Sequence, residues 1–411
     1  MQQTDTQLSE IDEIVALSRE YGAGNDWVIA GGGNTSIKTR EWMWVKSSGT
    51  TLADITAEQF VKMDRTKLNA IWETTYPEDS DERERRALAD LMAARASSEE
   101  KKRPSVETLM HALFPHRIVF HTHPTRVNGL TCSADGEEMA RKLFGDQALW
   151  IPTVDPGYIL ARTIYDLVES RRKQHDGVYP PILIMQNHGL VVVGETSQKI
   201  RALNSEVIEA IDAVITARPQ IDPVKHNPPG LENSRAAVTH AVAKAAEGAP
   251  AADEPQSAHS SEGVELPAPV TRAFTCPELE LRISDTQAIR ALDGSLSPDH
   301  IVYSGHRPCI VRTIESESLE ASSSAAVRDY LAREEVLPKV VLFPEVRPGP
   351  GAVSVGSSET KAHLAELLFL DALKVLRYTE SFGGVKHLPP DQEAFILGWE
   401  VEKFREEVST R

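Results

Sequence analysis

Cysteine is scarce in this sequence, basic residues are outnumbered by acidic ones, and no long apolar run breaks its polar texture. The three cysteines, Cys132, Cys276 and Cys309, are odd in number and far apart. That excludes a disulfide framework and a cysteine-rich zinc site, and suits a reducing, cytoplasmic compartment. Lysine and arginine total 44 against 61 acidic residues, a formal net charge of −17. Such a balance argues against a nucleic-acid partner, which calls for a basic surface, and leaves an anionic substrate to be held by local donors. No apolar stretch nears the ~18 residues that span a bilayer. The N-terminus is acidic and polar, so neither a membrane partner nor an export signal is expected. At 411 residues the chain has room for two or three domains.

What the sequence does hold is histidine placed for chemistry. Ile118-Val119-Phe120-His121-Thr122-His123-Pro124 reads as the end of a buried strand carrying two histidines two positions apart. Residues i and i+2 share one face of a strand, so both imidazoles can reach one point. Pro124 ends the strand because it cannot donate to the ladder. Imidazole suits zinc and its divalent neighbours, although this spacing alone also fits an ordinary histidine pair at a strand end. Two further stretches add to it. Residues 181–185 read as a strand, followed by a turn Gln186-Asn187-His188-Gly189 and a second strand over 190–194. Residues 105–113 read as a helix with Ser105 as N-cap and Glu107 in its first turn, where the helix dipole favours a carboxylate. Three imidazoles and one carboxylate from separate elements form a catalytic metal site with room for substrate oxygens.

Upstream, Leu8, Ile11, Ile14, Val15 and Ser18 share one helix face, with Thr6 or Ser9 as caps. Residues 27–30 read as a short strand opening into Gly31-Gly32-Gly33, and residues 42–46 as a strand ending in Ser47-Ser48-Gly49-Thr50. The two small, donor-rich turns together offer a cradle for a phosphate; each alone reads first as a plain Gly/Ser turn. Residues 76–103 form a charged excursion with a helical centre, expected as a solvated helix or flap.

With these motifs in place the sequence resembles the class II aldolase/adducin superfamily. The resemblance is to its larger, two-part members related to rhamnulose-1-phosphate aldolase, without the dehydrogenase domain that follows in some of them. It is carried by Gly31-Gly32-Gly33-Asn34-Thr35-Ser36-Ile37-Lys38, Trp44-Val45-Lys46-Ser47-Ser48-Gly49-Thr50, Arg103-Pro104-Ser105-Val106-Glu107-Thr108, His121-Thr122-His123-Pro124 and Asn187-His188-Gly189, spread over roughly the first 220 residues. The resemblance implies a three-layer α/β/α fold around a central mixed or antiparallel sheet. It implies a divalent metal on His121, His123 and His188, zinc first, with manganese or cobalt as alternatives. It also implies a substrate cradle at Gly33, Asn34, Lys46, Ser48, Gly49 and Ser105, with Val106 standing where the family commonly has a second serine. Thr153 stands where a tyrosine often follows the proline at 152, and Tyr158 is close enough in sequence to substitute for the tyrosine acid of the aldolases, the alternative being a packing residue at a helix start. The implied activity is reversible cleavage of a ketose 1-phosphate through a metal-stabilised enediolate, with Glu107 moving the proton beside the carbonyl. Epimerase or dehydratase chemistry on the same site and a non-catalytic adducin-like module are the alternatives. A homo-oligomer, dimer or tetramer, is expected.

The expected domains are 1–222, catalytic; 223–268, a linker with one helix near 234–246; and 269–411, a smaller degenerate α/β repeat. In that repeat residues 298–306 echo 115–123, while 340–343 and 351–358 echo 182–185 and 189–196. On this alignment Ser304 replaces His121, His306 matches His123, and His188 falls near Pro350, so the copy would hold no metal. A closing helix is expected within 389–410, and His226, His240 and His259 are expected to be surface residues.

Overall fold

A computed structural model describes residues 2–248, 268–313, 318–345 and 349–399. They fall into two units, the first drawn from Met1–Arg218, Leu296–Pro298 and Val375–Arg411, the second from Pro219–Ser295 and Asp299–Lys374. The first unit starts with helix α1 (Gln2–Gly22), then strands β1 (Asn34–Lys38), β2 (Trp42–Lys46) and β3 (Phe60–Asp64). Helices α2 (Arg65–Ile71), α3 (Ser80–Ala93) and α4 (Thr108–Leu113) lead to β4 (Ile118–Thr122). After α5 (Thr125–Thr131) and α6 (Gly136–Phe144) come β5 (Ala148–Ile151), α7 (Tyr158–Gln174), β6 (Ile182–Met185), β7 (Gly189–Gly194) and α8 (Ser197–Asp212). The sheet order is β3-β2-β1-β4-β7-β6-β5. Only β5 and β6 run parallel, so the sheet is mixed.

Alternation along the strands builds two cores. Ile118, Phe120, Ile182, Ile184, Leu190 and Val192 face Ile14, Leu17, Leu203 and Val207 of α1 and α8. Their neighbours Val119, Leu183, Met185, Val191 and Val193 face Met110, Leu160, Ile164 and Val168 of α4 and α7. The result is the expected α/β/α layering, and it puts His121 on the α4 side of the sheet because it alternates with Phe120.

Two local expectations fail. Residues 27–30 are not a strand: Gly32 N–H donates to Ile29 O at 3.1 Å and Ala30 takes a φ of +52°, which closes a turn. The strand lies instead at Asn34–Lys38, although four of its five residues are polar, and all five are buried. Helix α1 begins at Gln2, so Thr6 and Ser9 lie inside it rather than capping it.

The second unit contains β8 (Lys225–His226), α9 (Glu232–Gly248), β9 (Val270–Thr275), α10 (Pro277–Ser284), α11 (Pro298–Ser304, from Asp299 on), β10 (Cys309–Ile310), α12 (Leu319–Glu334), β11 (Val340–Phe343), β12 (Gly351–Gly356) and α13 (Glu359–Thr379, as far as Lys374). Residues 225–248, expected as linker with one helix near 234–246, contribute a strand as well as that helix here. The alanine-rich α9 buries Val238, Ala241 and Val242 in a core with Val327 and Tyr330 of α12. Residues 249–267, including His259, lie outside the described residues. Helix α14 (Pro390–Gly398) follows in the first unit, and the expected helical position Phe404 lies outside the described residues.

The second sheet runs β10-β11-β12-β9-β8, with β10 and β11 parallel and the other pairs antiparallel. That is the order and sense of β5-β6-β7-β4-β1, so the repeat is present, but its histidine alignment needs correction. Residues 298–304 are helix, started by Pro298 with Asp299 in the first turn and carrying a Ser304 Oγ bond to His300 O at 2.9 Å. The counterpart of β4 is β9: Ala273 pairs with Val353 as His121 pairs with Val191. Ala273, Thr275 and Pro350 therefore stand at the positions of His121, His123 and His188. His306 is buried, its Nε2 2.8 Å from Glu334 Oε2.

Phe120 is fully buried, its ring 4.9 Å from that of Tyr21. Phe120→Ala is expected to cost about 3–5 kcal/mol by leaving a cavity under α1. Urea unfolding followed by fluorescence checks it, and a loss under about 1 kcal/mol would contradict the packing described.

Candidate active site

Extended backbone running from β4 one residue past its end, and a tight turn after β6, bring the three expected imidazoles together. Ligand nitrogens of His121, His123 and His188 all lie within 4.8 Å of one another. His121 Nε2 is 2.9 Å from His123 Nε2, and the three ring centroids are 4.7–5.1 Å apart. His121 is fully buried and its Nδ1 lies 2.9 Å from Leu190 O. A carbonyl only accepts, so Nδ1 carries the proton and Nε2 turns its lone pair to the cluster. Burial pushes its imidazolium down from 6.5 to about 3, which keeps the ring in its ligating, neutral form. Two facing nitrogen lone pairs at 2.9 Å repel unless a proton or cation lies between them. This donor set fits a divalent ion of the zinc type.

The turn that carries His188 is pinned from several sides. Asn187 takes a φ of +53°, a left-handed conformation that asparagine tolerates. Its Nδ2 donates to Leu296 O at 3.0 Å and to Lys386 O at 2.8 Å, while Thr153 Oγ1 donates to its Oδ1 at 3.1 Å. Thr153, where the family often has tyrosine, thus serves the turn.

Glu107 sits at the N-cap position of α4, rather than inside its first turn, and Ser105 Oγ accepts from Glu107 N–H at 3.3 Å. Its side chain does not cap the helix. Instead Oε1 lies 3.1 Å from His188 Nε2 and Oε2 lies 3.4 Å from His121 Nε2. Burial opposes the anion, but positive charge at the His121 and His188 positions, where the imidazoles would hold a cation, outweighs it and holds the carboxyl well below the usual range. Asn34 Nδ2 donates to Glu107 Oε2 at 2.5 Å, so Asn34 is engaged by the carboxylate as well as lining the cup.

That cup is lined by Gly31, Gly33, Asn34, Lys46, Ser48, Gly49, Ser105, Val106, Glu107 and His188, with Pro156 and Pro298 at its edge. Every expected cradle residue is in it. Backbone pairing brings its two sides together: Ser48 N–H donates to Arg103 O at 2.8 Å and Ser105 N–H to Lys46 O at 3.1 Å. Lys46 is buried and donates to Gly31 O at 3.1 Å. Gly33 has φ +63°, and an added Cβ would lie 2.8 Å from His121 O, so a side chain there would push the cradle off β4.

Tyr158 does not line the cup. It begins α7 with its N–H on Glu84 Oε2 at 2.8 Å, and its ring packs edge-on against Tyr76 at 4.8 Å. It faces an adjoining cleft of about 500 Å³ that shares Val106 with the cup and is walled by Leu88, Leu91, Phe395 and Trp399. Two residues with no expected role belong to the site's support: His111, whose Nε2 bonds Asn34 Oδ1, and Ser36, 2.8 Å from His111 Nδ1. Their signal in the sequence was a histidine one turn after Glu107 and a serine two residues after Asn34.

The neutral ring of His121 also sets an acid limit. Its folded pKa lies below the unfolded value, so the unfolded chain binds more protons between about pH 6.5 and 3. Stability tied to the neutral ring is complete above that window and is lost as pH falls through it. In metal-free protein, His121→Gln is expected to flatten the acid slope of unfolding free energy by on the order of 1.4 kcal/mol per pH unit. Denaturant unfolding at stepped pH checks it; an unchanged slope would contradict a buried neutral imidazole.

Residues 12–215 match the family model described as the class II aldolase and adducin N-terminal domain. A Bacillus subtilis (strain 168) protein named "Uncharacterized oxidoreductase YuxG" is 25% identical over 426 residues, covering 96% of this chain and 58% of its own length. The chain thus spans little more than half of that relative. The N-terminal class II aldolase domain of a conserved protein from Thermoplasma acidophilum is 26% identical, with TM-score 0.42 over 50% of this chain and 92% of that one. L-fuculose-1-phosphate aldolase from Thermus thermophilus is 15% identical, with TM-score 0.33 over 50% of this chain and 93% of that one. The matched span holds the three histidines, Glu107 and the whole cradle apart from Pro298, and by it the chain belongs to the class II aldolase/adducin superfamily.

Proposed function

We propose that this protein is a metal-dependent aldolase, cleaving a ketose 1-phosphate reversibly to a dihydroxyacetone-phosphate-like fragment and an aldehyde. The observation that carries the reading is Glu107, buried with its two oxygens at 3.1 and 3.4 Å from His188 and His121, beside a cup lined by the hydrogen-bond donors Ser48, Ser105 and Lys46. A divalent ion on His121, His123 and His188, zinc first, supplies Lewis acidity toward the carbonyl and hydroxyl oxygens of the substrate.

The chain's own groups do the rest. Ser48, Ser105 and Lys46, with the backbone at Gly33 and Gly49, hold the phosphate and so orient the reacting carbons. In the condensation direction a Glu107 oxygen takes the proton from the carbon beside the carbonyl, the electron pair left there forms the bond to the aldehyde carbon, and the aldehyde oxygen, receiving its former π pair, takes up a proton from water. In cleavage the hydroxyl of the departing carbon gives its proton to water, the bond breaks as that carbon becomes the aldehyde, and the pair left on the other fragment takes a proton from Glu107. No step is assigned to Tyr158, which lies in the neighbouring cleft. A cytoplasmic location accords with three buried cysteines that form no disulfide, and a homo-oligomer rests on the family resemblance alone.

The test is triose phosphate release from a panel of ketose 1-phosphates by protein loaded with zinc, manganese or cobalt. Cleavage of at least one member is expected. Glu107→Gln is expected to lower kcat about 10²–10⁴-fold with bound metal unchanged. No release from any member with any of the three ions would contradict the aldolase reading.

A further inference from the structure

We infer that His111 is a positioning residue for Glu107, acting through the side chain of Asn34. The inference rests on Glu107 being the proton carrier proposed above. His111 lies one helical turn beyond Glu107 on α4 and is fully buried. Its Nδ1 is 2.8 Å from Ser36 Oγ, its Nε2 meets Asn34 Oδ1, and Asn34 Nδ2 is 2.5 Å from Glu107 Oε2. Four side chains from β1 and α4 thus form one continuous line ending on the carboxylate.

Donor chemistry gives that line a direction. An ionised carboxylate only accepts, so Asn34 must turn its N–H₂ to Glu107 and its Oδ1 to the ring. His111 Nε2 then carries a proton, and in a neutral ring Nδ1 accepts from the Ser36 hydroxyl. Burial holds His111 well below its usual range and keeps the ring neutral. Every donor points toward Glu107. An amide gripped at both ends cannot rotate to bring its carbonyl oxygen against the carboxylate, whereas an amide held at one end can. His111 is the group that closes the second grip, so it determines which atom of Asn34 faces the proton carrier. Hydrogen bonds to a charged acceptor are roughly twice as strong as neutral ones, so the orientation matters most at the Glu107 end.

Lys38 supports the same helix from its far end. Its Nζ donates to Phe114 O at 3.0 Å and His116 O at 3.1 Å, next to the last turn of α4. Two buried polar residues of β1 therefore fix the segment that carries Glu107 at both ends, and only the His111–Asn34 pair reaches the carboxylate.

Two measurements on the full chain test the assignment. In protein labelled with ¹⁵N-histidine, His111 is expected at pH 7 as the neutral tautomer protonated on Nε2; protonation on Nδ1, or on both nitrogens, would overturn it. Kinetically, His111→Phe is expected to lower kcat about 10²-fold, with KM for the ketose 1-phosphate and bound metal unchanged. His111→Gln, able to donate to Asn34 Oδ1 and accept from Ser36, is expected to recover to within about tenfold of wild type. Should phenylalanine prevent folding, Ser36→Ala gives the same comparison with an expected loss of a few-fold. Wild-type kcat in the phenylalanine variant, or equal losses with phenylalanine and glutamine at equal metal content, would overturn the role. A wild-type protein that cleaves nothing refutes the aldolase reading, and the ring tautomer then decides His111 alone.

Discussion

A carboxylate shut away from water beside three imidazoles dictates what must surround it. Glu107 is only 9% exposed, and a buried anion without partners costs several kcal/mol. Its partners arrive from three places: β4 supplies His121, the turn after β6 supplies His188, and β1 supplies Asn34. The last of these explains why a strand lying between β2 and β4 near the middle of the sheet is made of polar residues. Thr35 meets Ser18 Oγ at 2.8 Å, Ser36 meets His111, and Lys38 meets the carbonyls beyond α4. A run that ought to pack as hydrocarbon is instead a set of satisfied hydrogen bonds, Thr35 toward α1 and Asn34, Ser36 and Lys38 toward α4, and the position of Glu107 depends on the latter.

That same feature marks the limit of what the residues disclose on their own. The histidine pair was legible because strand period two is strict: Phe120 in one core forces His121 toward the other. The turn Asn187-His188-Gly189 was legible because asparagine tolerates positive φ and glycine follows. The role of Asn34 in holding Glu107 was not, because Asn34, Thr35 and Ser36 read as a loop by composition, and only the strands on either side show that they are buried. The hydrophobic 27–30 run misled in the opposite direction, since its apolar side chains pack from a turn. Tyr158 was read as a substitute acid from proximity in sequence, but the Glu84 contact at the start of α7 and the ring of Tyr76 hold it in the neighbouring cleft.

The second unit separates fold from chemistry within one chain. Its sheet keeps the strand order and directions of the first, and the echo at 340–343 and 351–358 was legible because strand, turn and strand recur at similar spacing. The histidine alignment was not, since Ile301, Val302 and Tyr303 look like strand residues and period alone cannot tell a short buried helix from a strand. With Ala273, Thr275 and Pro350 at the ligand positions, Thr275 Oγ1 donates to Pro350 O at 3.0 Å and the place of a metal site is taken by an ordinary hydrogen bond. The architecture persists where nothing demands the ligands.

Convergence of three neutral imidazoles on one cation is the central claim, and it is tested most directly by locating the ion. Crystals of the full chain grown with zinc, measured at the zinc absorption edge, are predicted to show an anomalous peak about 2.0–2.1 Å from the Nε2 atoms of His121, His123 and His188. A peak elsewhere with none at that point, or no peak at all, would contradict the account.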